Sequence, residues 1–121
     1  MAALNANAIT LLSSTTAVDM KTAAATTLYT VPIGKVCRIA FVVIRDPSAS
    51  MAGGTSYSFT NWKQAVDLSS LTTLGTDYIV LDGNNTKYAE LGASTAFQIT
   101  VTTGTSATCT ATIDVFGYIT T

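Results

Sequence analysis

The feature that most constrains the fold is a two-residue alternation of apolar and small polar side chains in the C-terminal third of the chain. In the segment Ala96–Thr102, Phe, Ile and Val occupy every second position, and Ala, Gln and Thr fill the others. The segment Ala107–Val115 repeats the pattern, with Thr at positions 108, 110 and 112. Because a period of two sends alternate side chains to opposite faces, each segment is predicted to be a strand with one buried and one exposed face. Thr suits the exposed face, since its branched Cβ packs well on a pleated surface.

Further strands, separated by turn signals, are predicted along the rest of the chain. They cover Ala8–Leu12, Thr16–Met20, Thr26–Val31, Val36–Ile44, the residues around Tyr57 and Phe59, Tyr78–Leu81, and the residues around Tyr88–Leu91. The stretch Asn61–Thr73 could form a short helical turn, but an irregular strand and loop is the favoured interpretation. With no convincing amphipathic helix, the pattern predicts an all-β protein: a jelly-roll-like, two-sheet β-sandwich of about eight antiparallel strands.

The turn signals have specific residue chemistry. In Pro32–Lys35, Pro fixes its own φ and Gly34 accepts a positive φ, which is typical of a type II turn. Asp82–Asn85 is predicted to be a tight turn, because Asp, Gly and Asn tolerate left-handed backbone geometry. A calcium site is not favoured there, because the segment lacks the spacing and the bidentate Glu of a calcium-binding loop. Ser48–Thr55 has the composition of a flexible loop.

The chain length predicts one domain with a short N-terminal extension. Residues 15–121 are expected to form a single β-sandwich domain, and residues 1–14 an N-terminal arm or an edge strand. Apolar side chains in that arm and in the Ser48–Thr55 loop have no obvious place in a small core, and are therefore candidate partner contacts: Leu4, Ile9, Leu11, Leu12 and Met51. In the alternative interpretation, Ile9 and Leu11 belong to an edge strand of the sandwich.

The charge composition argues against several classes of function. Charged residues make up 11% of the chain and the net charge is −1, whereas soluble proteins typically contain about 25% charged residues. The basic residues are scattered, so no nucleic-acid-binding face is expected. No apolar stretch approaches the length of about 20 residues that spans a bilayer, and the N-terminus does not resemble a secretory signal. A weakly charged surface favours association with other proteins.

Catalytic chemistry is not predicted. The chain contains no His, the commonest general base, and its acidic residues are spread among strand ends and loops. No cofactor or metal site is expected, because no group of ligands has suitable spacing. An enzyme would become plausible if two carboxylates faced each other within about 10 Å across a cleft.

The two cysteines are predicted to be buried free thiols. Cys37 and Cys109 both lie in predicted strands with apolar neighbours, where a thiol behaves as a small hydrophobic group. A disulfide between them is the alternative interpretation.

Two further residues are candidate partner contacts. Trp62, with nearby tyrosines, could stack on a sugar ring, although such residues are more often core or interface anchors. Arg38 interrupts the otherwise apolar strand Val36–Ile44, either as a buried charge paired with an Asp or as a contact to a neighbouring subunit. Because this strand is apolar on both faces, it is expected to be central or covered by a partner.

A ten-residue motif adds a resemblance to a known group. Thr26–Lys35, which contains Leu-Tyr-Thr-Val-Pro-Ile-Gly-Lys, resembles a strand–turn–strand opening that recurs in small β-rich virion proteins of tailed bacteriophages, of the capsid decoration (cement) or tail-fibre-head type. The resemblance implies a non-enzymatic structural protein on the capsid surface of the virion, assembled in the host cytoplasm. It would bind the major capsid protein lattice as a homotrimer and stabilise the head. The alternative is a tail-associated or fibre-head module that binds a host surface glycan through Trp62.

Overall fold

The computed structural model describes residues 8–62, 66–72, 77–82 and 89–121, and these residues form strands and no helix. The described part of the chain accordingly contains no helix long and apolar enough to cross a membrane. The strands are β1 (Thr10–Asp19), β2 (Ala25–Thr30), β3 (Val36–Arg45), β4 (Ser56–Phe59), β5 (Tyr78–Leu81), β6 (Ala89–Leu91), β7 (Ala96–Thr103) and β8 (Thr110–Thr120). The prediction of an all-β sandwich with about eight antiparallel strands is confirmed.

The strands form two antiparallel sheets. The larger has the order β1-β8-β3-β5, with β6 also paired to β3, and the smaller has the order β2-β7-β4. β5 and β6 lie end to end along one edge of β3, because β5 pairs with its second half and β6 with its first half. The pairs β1–β8, β2–β7 and β3–β6 each join an early strand to a late one, which is the wrapped arrangement of a jelly roll.

The core lies between the two sheets and is built by the alternation seen in the sequence. On β3 every inward side chain is buried, and on β7 the buried positions are the apolar ones of the predicted alternation. Burying each large aliphatic or aromatic side chain contributes about 1.5–3 kcal/mol relative to leaving it exposed. The largest members of the core are Met20, Ile39, Ile44, Met51, Tyr57, Leu68, Leu91, Phe97, Ile99 and Ile113.

The turn between β2 and β3 follows its predicted chemistry. Gly34 has a φ of 78°, and the Lys35 N–H donates to the Pro32 carbonyl at 3.2 Å. The positive φ falls at the third residue of the turn, as in type II. Of the Asp82–Asn85 turn, only Asp82 belongs to the described residues.

The predicted boundaries of the first and last strands are wrong. The two short strands expected on either side of the Ser13–Ser14 pair form one strand, β1, which passes through the pair with two register shifts. Ser14 does not end the strand, because its hydroxyl donates to Asp114 on β8. The predicted arm, residues 1–14, therefore overlaps the edge strand β1 from Thr10 onward, and residues 1–7 lie outside the described part.

The C-terminal strand begins later and ends later than its predicted range, Ala107–Val115. β8 starts at Thr110 and continues to Thr120 because β3 pairs with it along its whole length. Cys109 thus precedes the strand instead of lying in it. Both Cys37 and Cys109 are buried and free, as the favoured interpretation predicted.

Candidate interaction surface

The outer face is the side of the five-stranded sheet that points away from the core. It combines an apolar band with a few charged groups, a composition that is typical of protein contact surfaces. By strand register its members are Leu11 and Ser14 on β1, Arg38, Phe41, Val43 and Arg45 on β3, Tyr78 and Val80 on β5, Glu90 on β6, and Thr112, Asp114, Phe116 and Tyr118 on β8.

An aromatic pair lies at the centre of the outer face. Phe41 stands opposite Phe116 in the register of β3 and β8, and their rings stack with centroids 4.7 Å apart. A bulge between Ile39 and Phe41 reverses the alternation of β3, so that Phe41 points outward where an unbroken strand would have turned it inward. Leu11 of β1 stands opposite Phe116 on its other side and is 51% exposed. The bulge therefore creates an apolar row across three strands.

Further apolar side chains of the outer face lie on β3 and β5, in the neighbouring register rows. Val43 is paired with Val80, and Arg45 with Tyr78, in an unbroken antiparallel register. Val80 is 54% exposed and Tyr78 is 67% exposed. Apolar groups of this size are seldom left in contiguous exposed patches unless a partner covers them.

A polar network crosses the same face. Asp114 lies mid-strand on β8, where it accepts a hydrogen bond from the Ser14 hydroxyl on β1 and one from Arg45 Nε on β3 at 2.8 Å. Arg45 also donates from Nη1 to Asp46 at 2.8 Å. One carboxylate thus ties three adjacent strands together across the outer face.

The network sets the charge state of its members. Burial alone would raise the pKa of Asp114, but the hydrogen bonds from Arg45 and Ser14 and the charge of Arg45 outweigh it, so this pKa lies below its ordinary value. The hydrogen bond to Asp114 in turn raises the pKa of Arg45. Both groups therefore remain charged at neutral pH.

The second arginine of the outer face is also paired. Arg38 contacts Glu90 on β6, with Nη2 and Oε2 2.6 Å apart, and the two side chains are 40% and 54% exposed. Arg38 is therefore neither buried nor paired with an Asp, contrary to one of the two predicted roles. Because Arg38 and Arg45 both have carboxylate partners within the chain, a partner covering this face need not supply opposite charges.

The predicted contact residues divide between the surface and the core. Ile9 is 42% exposed just before β1, and Leu11 and Arg38 belong to the outer face. Leu12 is half-buried and packs against the core. Leu4 lies outside the described residues.

Met51 has a place in the core, so the reason for predicting it as a contact is wrong. Its side chain is fully buried. Its backbone N–H donates to the Leu71 carbonyl at 2.9 Å, and the Ser106 N–H donates to the Ala52 carbonyl at 3.0 Å. The Ser48–Thr55 loop thus folds over the end of the sandwich and closes it, which its Gly- and Ser-rich composition did not indicate.

Trp62 is also a core residue. It is 9% exposed and packs against Phe59, with ring centroids 4.6 Å apart, and against Phe97 at 6.1 Å. Its indole Nε1–H is buried and has no hydrogen-bond acceptor among the described residues. Its ring faces other aromatic groups of the core and is not available to stack on a sugar.

Most residues of the outer face are not predicted as contacts from the sequence. Phe41, Val43, Val80 and Phe116 were not predicted as contacts, because the position of the bulge and the strand neighbours cannot be inferred from the alternation. One sequence feature is consistent with these contacts: the predicted strand Val36–Ile44, which corresponds to β3, is apolar on both faces. β3 has strand partners on both edges, as the expected central position requires, and Phe41 and Val43 account for its second apolar face.

Among the described residues, no group of three or more Cys, Asp or Glu side chains is placed to hold a metal ion. No protein-family model and no curated protein matches the chain.

One solved structure has a similar fold. A chain of the "Cyanophage Pam1 capsid asymmetric unit" superposes with a TM-score of 0.55 and 16% sequence identity, over 93% of this chain and 86% of that chain. At this identity, the likeness establishes a shared two-sheet β fold. Because it covers most of both chains, it concerns the whole sandwich and not a local motif.

Proposed function

We propose that this protein is a non-enzymatic structural component of a virion, a capsid cement or decoration protein that binds the major capsid protein lattice and stabilises the head. The observation that carries the proposal is the outer face, an exposed apolar band whose arginines are neutralised within the chain. Such a face suits a protein neighbour, since burying it against another apolar surface leaves neither Arg38 nor Arg45 unpaired.

The fold likeness supports the same role. The similar chain comes from a structure described as a cyanophage capsid asymmetric unit, and the strand–turn–strand motif at Thr26–Lys35 resembles small phage virion proteins. Neither the fold likeness nor the motif depends on the outer face, so both support the role independently of that face. We extend the proposal to a homotrimer on the capsid surface, assembled in the host cytoplasm.

The size of the outer face indicates how the protein would act. Four strand positions, about 4.8 Å apart, and about eight residues of about 3.3 Å rise give an area of about 500 Å². Contact with a partner of equal area would bury about 1,000 Å² in total, the lower limit for a specific interface. One site therefore binds weakly, and repeated sites on a lattice supply the affinity. Because the protein would bind the assembled shell and not its separate subunits, binding shifts the equilibrium towards assembly.

The glycan-binding alternative loses its main support. It relied on Trp62, whose ring is buried against Phe59 and Phe97. No observation on the described residues favours a sugar site elsewhere, so we do not develop this second function.

The test is binding to expanded capsids that lack the protein. We expect wild-type protein to bind and to raise the melting temperature of the shell. Leu11→Ser should weaken binding about fivefold or more, because it removes an apolar group from the outer face. Ile33→Ser is the matched control: Ile33 is 88% exposed at the β2–β3 turn, off the outer face, and its variant should bind as wild type does.

Two results would count against the proposal. One is wild-type protein that does not bind the shells, or binds without raising their melting temperature. The other is equal loss of binding in the Leu11→Ser and Ile33→Ser variants, since that outcome would place the contact elsewhere. Native mass spectrometry of the free protein tests the homotrimer separately, with three copies expected.

A further inference from the structure

Among the described residues, the edge of β5 carries no register shift and no covering segment that would block strand addition. All four of its residues, Tyr78–Leu81, are apolar, and its register with β3 has no shift. Among the described strands, β5 ends its sheet and has no partner beyond β3. Its two outer-face side chains are more than half exposed. An apolar, regular edge is a ready template for pairing with another strand.

The edges of β1, β2 and β4 carry features by which proteins prevent such pairing, and β6, on the same edge of β3 as β5, is only three residues long and contains Glu90. β1 has two register shifts, and Ala17 within it has a φ of 55°. β2 has one register shift and is rich in Thr. β4 is covered by Val66, whose N–H and carbonyl both bond to Tyr57. Bulges and covering segments prevent an edge from accepting a new strand.

The sequence of β5 is complementary to itself. When two copies of an antiparallel edge meet across a two-fold axis perpendicular to the sheet, directly opposed residues must point to the same face. An axis at Ile79 meets this condition. It places Ile79 opposite Ile79 of the second copy, and Tyr78 opposite Val80 twice on the outer face. Aromatic–β-branched and β-branched pairs are favourable across strands.

No charge would face a like charge in this register. Asp77, which precedes β5, would stand opposite Leu81 of the second copy. Arg45, beside Tyr78 on the neighbouring strand, is already paired with Asp114 and Asp46. We infer that β5 pairs with β5 of a second copy across a two-fold axis at Ile79, joining the two larger sheets into one.

This contact has a role in the shell that rests on the proposed function. A two-fold contact cannot by itself build a trimer, so it would link neighbouring homotrimers on the lattice into a continuous net. With only three residue pairs, it is weak for the free protein and gains strength when the shell holds copies side by side.

Sedimentation of the free protein over a concentration series tests the pairing without any capsid. The apparent mass of the wild-type protein should double as the protein concentration approaches about 1 mM, which is a typical dissociation constant for a weak contact. Val80→Lys should raise the dissociation constant of this association about tenfold or more, because it places a charge on the edge opposite Tyr78. Val80→Thr, which keeps the branched Cβ, is the matched control and should double as wild type does.

A charge pair tests the register. Tyr78→Glu alone should weaken doubling, whereas Tyr78→Glu combined with Val80→Lys should restore it, since each Glu would face a Lys of the other copy. Absence of doubling in wild type, an equal effect of Val80→Thr and Val80→Lys, or no rescue in the double variant would overturn the inference. Shell binding by the wild-type protein distinguishes the two proposals: shell binding without doubling supports only the proposed function, whereas doubling without shell binding supports only the β5 contact.

Discussion

At the scale of single residues, Asp114 is the most consequential polar group that the structure describes. Acidic residues in this chain were expected at strand ends and loops. Asp114 instead lies in the middle of β8, where Ser14 and Arg45 donate to its two oxygens. Its side chain is 13% exposed, so a carboxylate without these partners would be costly to bury.

The lowered pKa of Asp114 predicts a pH-dependent stability. Since the pKa is lower in the folded state than in the unfolded state, where it is about 3.9, the carboxylate stabilises the fold above that pH and ceases to do so as the pH falls through the folded-state pKa. We expect Asp114→Asn to lose about 1–2 kcal/mol of unfolding free energy at pH 7. Urea denaturation at a series of pH values should show that the difference in unfolding free energy between the variant and the wild type shrinks towards pH 3.

Asp46→Asn is the control for this prediction. Asp46 contacts the same arginine, but this pair is exposed on both sides, with side chains 42% and 44% exposed, and exposed ion pairs contribute little. Asn also tolerates the positive φ of 54° at this position. An Asp46→Asn variant as unstable as Asp114→Asn, or a difference that persists unchanged at pH 3, would contradict the assigned role of Asp114.

At the scale of elements, the pairing of β3 with β8 organises the larger sheet. It runs from Val36 opposite Thr120 to Arg45 opposite Thr112, with a shift between Ile39 and Phe41. Gly117 lies opposite Ile39 beside this shift, and a Cβ at Gly117 would overlap the Arg38 carbonyl oxygen. The bulge that turns Phe41 outward therefore requires a residue without a side chain on the partner strand.

Gly117→Ala should destabilise the fold by about 2–3 kcal/mol, because the overlap involves backbone that cannot move without breaking the strand pairing. Gly34→Ala should cost about 1 kcal/mol, since Gly34 has a φ of 78° with open space around it and only backbone strain is added. Thermal unfolding of the two variants makes the comparison. Equal stability of Gly117→Ala and wild type would mean that the two strands do not approach as closely as described.

The elements also show where a local pattern stops being informative. The alternation in Ala96–Thr102 gave β7 to within one residue. The prediction for β1 was less accurate. It divided the strand at Ser13–Ser14, because serine pairs often mark turns. What keeps β1 continuous is a hydrogen bond from Ser14 to a residue 100 positions away, and no local pattern contains that partner.

At the scale of the whole molecule, the closed sandwich protects its two thiols. Cys37 on β3 and Cys109 just before β8 are both fully buried and are not bonded to each other. Burial raises the pKa of Cys37 to about 11, and the thiolate is the reactive form. Reaction of Cys37 with a thiol reagent therefore requires the sandwich to open.

We predict that a Cys109→Ala variant, in which Cys37 is the sole thiol, reacts negligibly with a thiol-reactive disulfide reagent at pH 8 in native buffer. In urea the rate should rise with the unfolded fraction, as the pKa of Cys37 returns towards its ordinary value of about 8.5. Absorbance of the released thiolate follows the reaction. Rapid labelling of the native variant would contradict the burial of Cys37, and absence of free thiols in unfolded, unreduced wild-type protein would contradict its free state.

The amino-acid order alone predicts the all-β class, the positions of most strands, the turn at Pro32–Lys35 and the burial of both cysteines, since these depend on the alternation of side chains and on the φ preferences of neighbouring residues. The folded chain was needed to establish that Met51 and Trp62 complete the core, that Phe41 points outward, and that Asp114 joins three strands. Each of these outcomes depends on a partner distant in the sequence or on a bulge that shifts the register by one residue. A shift of one residue exchanges the two faces of a strand, so the interaction surface could not be assigned before the strands were paired.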